Sequence, residues 1–240
     1  MHIPDGCLCP YTCLTCFAIA FPLWFTASKK SSKLLKEKYF QMLAAIGAAF
    51  SFSIMMFNVP IPGGTTGHAI GAALLSIIFG PWVSSILVTI ALLSQALLFG
   101  DGGITTFAAN SLIIAFIPSF TGYYIFKLLN KNKSDNLFKQ SILAGLSGYF
   151  SIFLASLIAG IILGIQPIIS HDNSGKALYF FYPLSVSVPA MVSEHLSLFC
   201  WVEMIITSII YGLLNFNLLN NFFPCHREVQ TRSCPENKGS

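Results

Sequence analysis

Two histidines stand where a metal ion could meet the beginning of the chain. His2 lies directly behind Met1 in MHIPDG, and His68 closes the glycine- and proline-rich stretch NVPIPGGTTGH. A terminal amine, the amide nitrogen of His2 and its imidazole Nδ1 can close adjoining chelate rings around one divalent ion. Three corners of a square are then filled, and His68 can supply the fourth. Four nitrogens in a plane suit Ni(II), Cu(II) or low-spin Co(II), whereas Zn(II) prefers a tetrahedron. Removing the amide proton is costly near neutral pH, so such a site gains affinity as pH rises and releases protons on loading. The plainer reading is a frayed terminus and a helix-starting histidine bonded to the backbone. The residue types are compatible with both.

The donor set needs a free amine. Met1 is expected to be retained, because the aminopeptidase that trims initiators favours small second residues and His2 is large. A cleaved leader places basic residues before its apolar core, whereas here Asp5 comes first and the lysines follow the apolar run, so the opening segment is expected to stay attached.

Composition says what must position these residues. Of 240 residues 55% are hydrophobic and 9% charged, against roughly 25% charged in a soluble domain. Thirteen Lys and Arg against nine Asp and Glu leave a formal charge of +4, with most lysines in KKSSKLLKEK and KLLNKNKSDNLFK. No basic face is long enough to track a phosphate backbone, which excludes nucleic acid as a partner. A bilayer core of ~30 Å takes about 20 apolar residues as helix. Uncharged stretches predict spans over 11–28, 40–59, 69–79, 82–99, 104–126 and 141–165. One more lies within 177–223, which holds Glu194, His195 and Glu203.

Lysine-rich loops belong to the cytoplasm. The expectation is therefore an all-α integral membrane protein of about seven transmembrane helices, amino terminus outside and carboxyl terminus cytoplasmic. Residues 1–220 form one bundle and 221–240 a polar, disordered cytoplasmic tail. Segment 69–79 is short for a span unless neighbours shield it, and 179–189 is expected to fold over the outer face. In this topology His2 and His68 reach the same outer mouth, where ionisable groups are expensive and default to function.

The stretches MHIPDG, NVPIPGGTTGHAIG, FGP, QALLFGDGGITTFAAN and EHLSLFCWVE, in that order from residue 2 to about residue 210, closely resemble the CbiM/NikM family. Its members are the substrate-binding membrane components (S components) of energy-coupling factor transporters for cobalt and nickel. The resemblance implies a compact helical bundle with an extra amino-terminal helix in a prokaryotic plasma membrane. It implies a metal held by the Met1 amine, the amide and imidazole of His2, and His68. It also implies no cofactor of its own, with Co2+ or Ni2+ as the transported ion. The implied partners are a membrane coupling subunit (CbiQ-like), cytoplasmic ATPases (CbiO-like) and a small auxiliary subunit (CbiN-like). The chain has no GxxxxGK[ST] loop, which agrees with ATP hydrolysis by partners and no enzymatic activity here. MHIPDG and VPIPGG look more like the cobalt branch, linked to cobalamin synthesis; nickel is the alternative.

Three further residues match family positions. Asn110 is a group that could orient a ligand, or else form an interhelical hydrogen bond. His195 and Glu203 lie eight residues apart, just over two helical turns. They are expected to face the interior and to pair structurally or support the covering loop, without binding the ion. Gly63, Gly64 and Gly67 give the His68 loop its freedom.

Other features stay open. Ala44 with Ala48, and Ala45 with Ala49, form small-residue stripes for docking another subunit or for packing within the bundle. Cys7, Cys9, Cys13 and Cys16 could bind a soft metal, form disulfides on an oxidising face, or serve as packing residues, the favoured reading. Cys200 is a core residue, and no role is assigned to Cys225, His226 or Cys234. A reading from another class is an intramembrane metal-dependent enzyme using His68, His195 and Glu203, although no H-E-x-x-H motif supports it.

Overall fold

The computed structural model describes residues 1–32, 36–61, 65–131 and 136–215. The tail with Cys225, His226 and Cys234, and also Gly63 and Gly64, lie outside the described residues. Helix α1 (Pro10–Ser31) is followed by α2 (Lys38–Met55), a two-stranded antiparallel hairpin of β1 (Val59–Ile61) and β2 (Thr65–Gly67), and α3 (Ala72–Phe79). Then come α4 (Pro81–Leu98), α5 (Phe107–Leu129), α6 (Leu137–Ile169) and α7 (Leu184–Asn215). Helices α1, α4, α5, α6 and α7 are long and apolar enough to cross a membrane, so the chain is a multi-pass membrane protein.

Local chemistry sets several boundaries. Pro10 and Pro81 open α1 and α4, where a missing N–H costs nothing because the first turn has no partner for it. Gly80 separates α3 from α4 at φ +85, a conformation that glycine adopts without a steric penalty. Within α5 and α7 the regular helix widens into π turns at Ser111–Phe116 and His195–Phe199, each directly after or at a residue singled out above.

Two boundaries differ from expectation. The segment expected over 69–79 is helical only from Ala72, because Gly71 takes φ +76 and the backbone N–H groups of Ile70 and Gly71 turn to a carboxylate. Ala72, Ala73, Leu74, Leu75 and Ser76 are all buried, and α3 packs against α4, α5, α6 and α7. Neighbours therefore shield this short helix. The cover expected over 179–189 ends earlier, since α7 begins at Leu184 and carries Pro189 inside it.

Small residues bring α6 and α7 together. A Cβ on Gly145, Gly148, Gly160 or Gly164 would meet the backbone or side chains of Met204, Glu203, Val188 or Leu184, which is how membrane helices approach without a hydrophobic driving force. On α2, Ala44 is buried in the bundle and Ala48 packs against its core, while Ala45 and Ala49 face outward.

The two ends of the bundle are distinct. Residues 1–9, the 100–106 loop, Gln166 and Phe180 touch one another at one end. Lys30 over the Trp82 ring and Tyr211 bonded to Gln140 mark the other.

Candidate metal centre

The first residues are folded into the bundle. Met1 is 0% and His2 3% exposed. Ile3 is the anchor: its N–H donates to Asn110 Oδ1 at 2.8 Å, and Asn110 Nδ2 returns a bond to the Ile3 carbonyl at 2.9 Å. That carbonyl also accepts from Thr106 Oγ1 at 2.6 Å and Gly103 N–H at 3.0 Å. Asp5 accepts from the N–H groups of Ile104 and Thr105 and from the Thr105 hydroxyl. Farther on, Gln166 Oε1 accepts the Cys9 N–H at 2.9 Å. Gly103 makes the fit possible, since a Cβ there would stand 2.5 Å from Asp5 N. Asn110 thus contacts the main chain next to His2.

His68 arrives from the opposite side. A carbonyl can only accept, so the 3.0 Å contact between His68 Nδ1 and the Ala69 carbonyl places the proton on Nδ1. Nε2 keeps its lone pair, buried and without a partner. Glu203 holds the loop that follows: its Oε2 accepts from Ile70 N–H at 2.8 Å and its carboxylate takes Gly71 N–H at 2.9–3.0 Å. The carboxylate thus sits at the start of α3, where the unpaired N–H groups and the helix dipole favour negative charge. On the other flank, a Cβ at Gly67 would lie 2.6 Å from the Phe199 ring, so the hairpin is pressed onto the π turn of α7.

The His2 and His68 rings stack with centroids 4.4 Å apart at 29°. His2 Nδ1 lies 3.3 Å from Asp101 Oδ1, and Asn58 Nδ2 donates to the other oxygen of that carboxylate at 3.1 Å. Burial drives the Met1 amine down to about 4, opposed by Asp101. Burial and then the nearby amine take His2 down to about 3. His68 falls well below its ordinary value, through burial first and then the amine, His2 and His195. Burial raises Asp101, opposed by the amine and Asn58. Burial thus disfavours a positive charge on the amine and on both imidazoles.

His195 and Glu203 do not pair with each other. His195 Nδ1 donates to the Met191 carbonyl at 2.7 Å and leaves Nε2 unpartnered. Among the described residues no three His, Cys, Asp or Glu side chains are arranged to hold a metal ion. Cys7, Cys9, Cys13, Cys16 and Cys200 are free thiols.

Sequence reasoning passed over Asp101, whose carboxylate faces His2 Nδ1, although it lies in QALLFGDGG.

Residues 2–216 match the family described as cobalt uptake substrate-specific transmembrane region, CbiM. The chain is 42% identical over 208 residues to the fused nickel transport protein NikMN of Rhodobacter capsulatus, covering 87% of this chain and 60% of that protein. It is 43% identical over 212 residues to the probable fused nickel transport protein LarMN of Lactiplantibacillus plantarum, covering 88% and 63%. It thus spans less than two thirds of either relative. Identity to the cobalt transport protein CbiM of Acetoanaerobium sticklandii is 31% over 216 residues, 89% of this chain and 84% of that one. A crystal structure of a transition metal transporter superposes with a TM-score of 0.86 at 45% identity, covering 93% of this chain and 98% of the other. With the match running from His2 to the end of α7, this chain belongs to the CbiM family of cobalt uptake substrate-specific transmembrane regions.

Proposed function

We propose that the chain is the substrate-specificity membrane subunit of an ATP-driven importer for a divalent transition-metal cation, Co2+ or Ni2+. The observation that carries this reading is the burial of Met1 and His2 against a His68 whose only free nitrogen is a bare lone pair. The amine, the amide and Nδ1 of His2, and Nε2 of His68 are the proposed ligands. Asn110 and Glu203 hold the two ligand-bearing segments from outside the donor set. The family motifs lean to cobalt, whereas identity is higher to the nickel-named relatives than to the cobalt-named one, which favours nickel as cargo.

Helices α2 and α3 complete seven spans in this reading. The end holding residues 1–9 faces outside, and the lysine-rich loops and the tail 221–240 face the cytoplasm. ATP hydrolysis falls to CbiO-like subunits joined through a CbiQ-like membrane protein. The fused relatives extend well beyond the match, which supports a separate CbiN-like component. An enzymatic reading is less well supported, because Glu203 is committed to the N–H groups of Ile70 and Gly71 and offers no free base.

The test is metal analysis of protein starting at Met1, with Co(II) and Ni(II) in competition, beside a form carrying a few residues before Met1. One bound ion in the first and none in the second is expected. Full binding by the extended form, or by His2→Ala, removes the proposed donor set.

A further inference from the structure

Met1, His2 and His68 are sealed from solvent, yet a cation arrives from water. Asp101 stands between the two. Its side chain is 19% exposed, and its Oδ1 lies 3.3 Å from His2 Nδ1, a buried nitrogen with no hydrogen-bond partner. Three contacts fix the carboxylate there. The Asp101 N–H donates to the Gln95 carbonyl at 3.2 Å, in the last turn of α4. Asn58 Nδ2, from the residue before β1, donates to Oδ2 at 3.1 Å. Gly102 passes against the His2 ring, where a Cβ would stand 3.3 Å from Cδ2. Gly100 and Gly102 take φ +65 and +86, turning the chain on both sides of Asp101 without a steric penalty. One carboxylate oxygen is thus anchored and the other is directed at a proposed metal donor. Among the described residues Asp101 pairs with no Lys or Arg, and a carboxylate half withdrawn from water without a cation is costly.

We infer that Asp101 is a capture ligand: its carboxylate takes a hydrated divalent cation from solvent and hands it to His2 Nδ1. This deepens the proposed function and rests on its donor set. One water leaves the ion as Oδ1 binds, and a second leaves as Nδ1 binds. With bonds of about 2.0–2.2 Å to oxygen and nitrogen, a separation of 3.3 Å lets one ion touch both atoms at a bend slightly wider than a right angle. The Met1 amine, the His2 amide and His68 then close on the ion, the amide proton passing to water. The bond to the carboxylate breaks as four nitrogens fill the plane that Ni(II) favours. A ligand held only in passing speeds entry and exit alike, so Asp101 acts on rates more than on affinity.

The experiment follows Ni(II) uptake by stopped flow at several salt concentrations, in the full chain starting at Met1. It compares the wild type, Asp101→Asn, Asp101→Glu and Asp172→Asn, with the unfolding temperature of each ion-free protein. Asp172→Asn removes an equal charge from the exposed turn at the same end. Asp101→Asn is expected to slow uptake about 10-fold or more, the lower range for a charged entry, and to flatten its dependence on salt, with the unfolding temperature unchanged. Asp101→Glu should recover part of the rate, and Asp172→Asn should stay close to the wild type. The loaded wild type should be diamagnetic, as four nitrogens in a plane require of Ni(II). The inference is overturned if Asp101→Asn loads at the wild-type rate, if it slows only together with a fall in unfolding temperature, if Asp172→Asn slows uptake equally, if Asp101→Glu is no faster than Asp101→Asn, or if the loaded wild type is paramagnetic with the carboxylate retained as a fifth ligand. A wild type that takes up no Ni(II) or Co(II) refutes the proposed function as well, whereas a wild type that loads but fails any of the other tests refutes the role of Asp101 alone.

Discussion

His68 can offer only Nε2 to a ligand, because Ala69 holds the proton on Nδ1. His68→Gln is therefore expected to abolish tight binding, while a neutral change of tautomer is unavailable to it. The pH behaviour of the opening residues follows from burial. Met1 and His2 are bases whose folded values, about 4 and about 3, lie below their ordinary 8.0 and 6.5. The docked state then binds fewer protons than the undocked one, so docking is at full strength above about pH 8 and weakens as pH falls through that window. Acidifying from pH 8 to 5 is expected to release the segment. The Ile3 amide, bonded to Asn110, reports it by hydrogen exchange, and equal protection at both pH values contradicts the assignment.

At the scale of elements, the two segments that carry the proposed donors are held by Asn110 and Glu203. Asn110→Ala removes both bonds to the Ile3 main chain. It is expected to weaken docking of residues 1–9 by about 2–3 kcal/mol, the sum of two lost bonds and a stranded buried group. Limited proteolysis of the amino terminus measures it. Glu203→Ala strands the Ile70 and Gly71 N–H groups at the head of α3. A loss of about 3 kcal/mol is expected, since charge-assisted bonds are worth about 1.5–3 kcal/mol, together with weaker metal binding because His68 lies two residues upstream. Glu203→Gln keeps one acceptor and should lose less. Thermal unfolding alongside Ni(II) titration separates the two variants; equal behaviour of Gln and Ala would deny the carboxylate this role.

For the whole molecule, the glycines of α6 let α7 approach closely enough to carry His195 and Glu203 toward α3. A wedge such as Gly148→Leu would meet Glu203 and Thr207 and is expected to lower the yield of folded protein, by about the 1–3 kcal/mol typical of overpacking. Sidedness is tested directly. A protease site inserted at Ser174, in an exposed turn at the metal-site end, should be cut from outside intact cells. One inserted at Lys131 should be cut only in inverted vesicles. The opposite pattern reverses the orientation.

Membrane character was legible in composition because a bilayer tolerates few charges, and five of the expected spans recur as helices of sufficient length. His2 and His68 were legible as a pair because their residue types and the spacing of the lysine clusters brought them to one mouth. The head of α3 was not, since it depends on Glu203 arriving from a helix more than a hundred residues later. The reach of the covering segment depended likewise on where α7 packs against α6. What the sequence by itself determined was the class of protein and the nitrogen donors on offer, which follow from local composition and from which atoms each residue carries. What only the tertiary structure decided was that Met1 is buried, that His68 keeps Nε2 buried and unpartnered, and that Asn110 and Glu203 hold the segments next to His2 and His68. Those outcomes depend on contacts between segments far apart in the chain, and local pattern does not encode them.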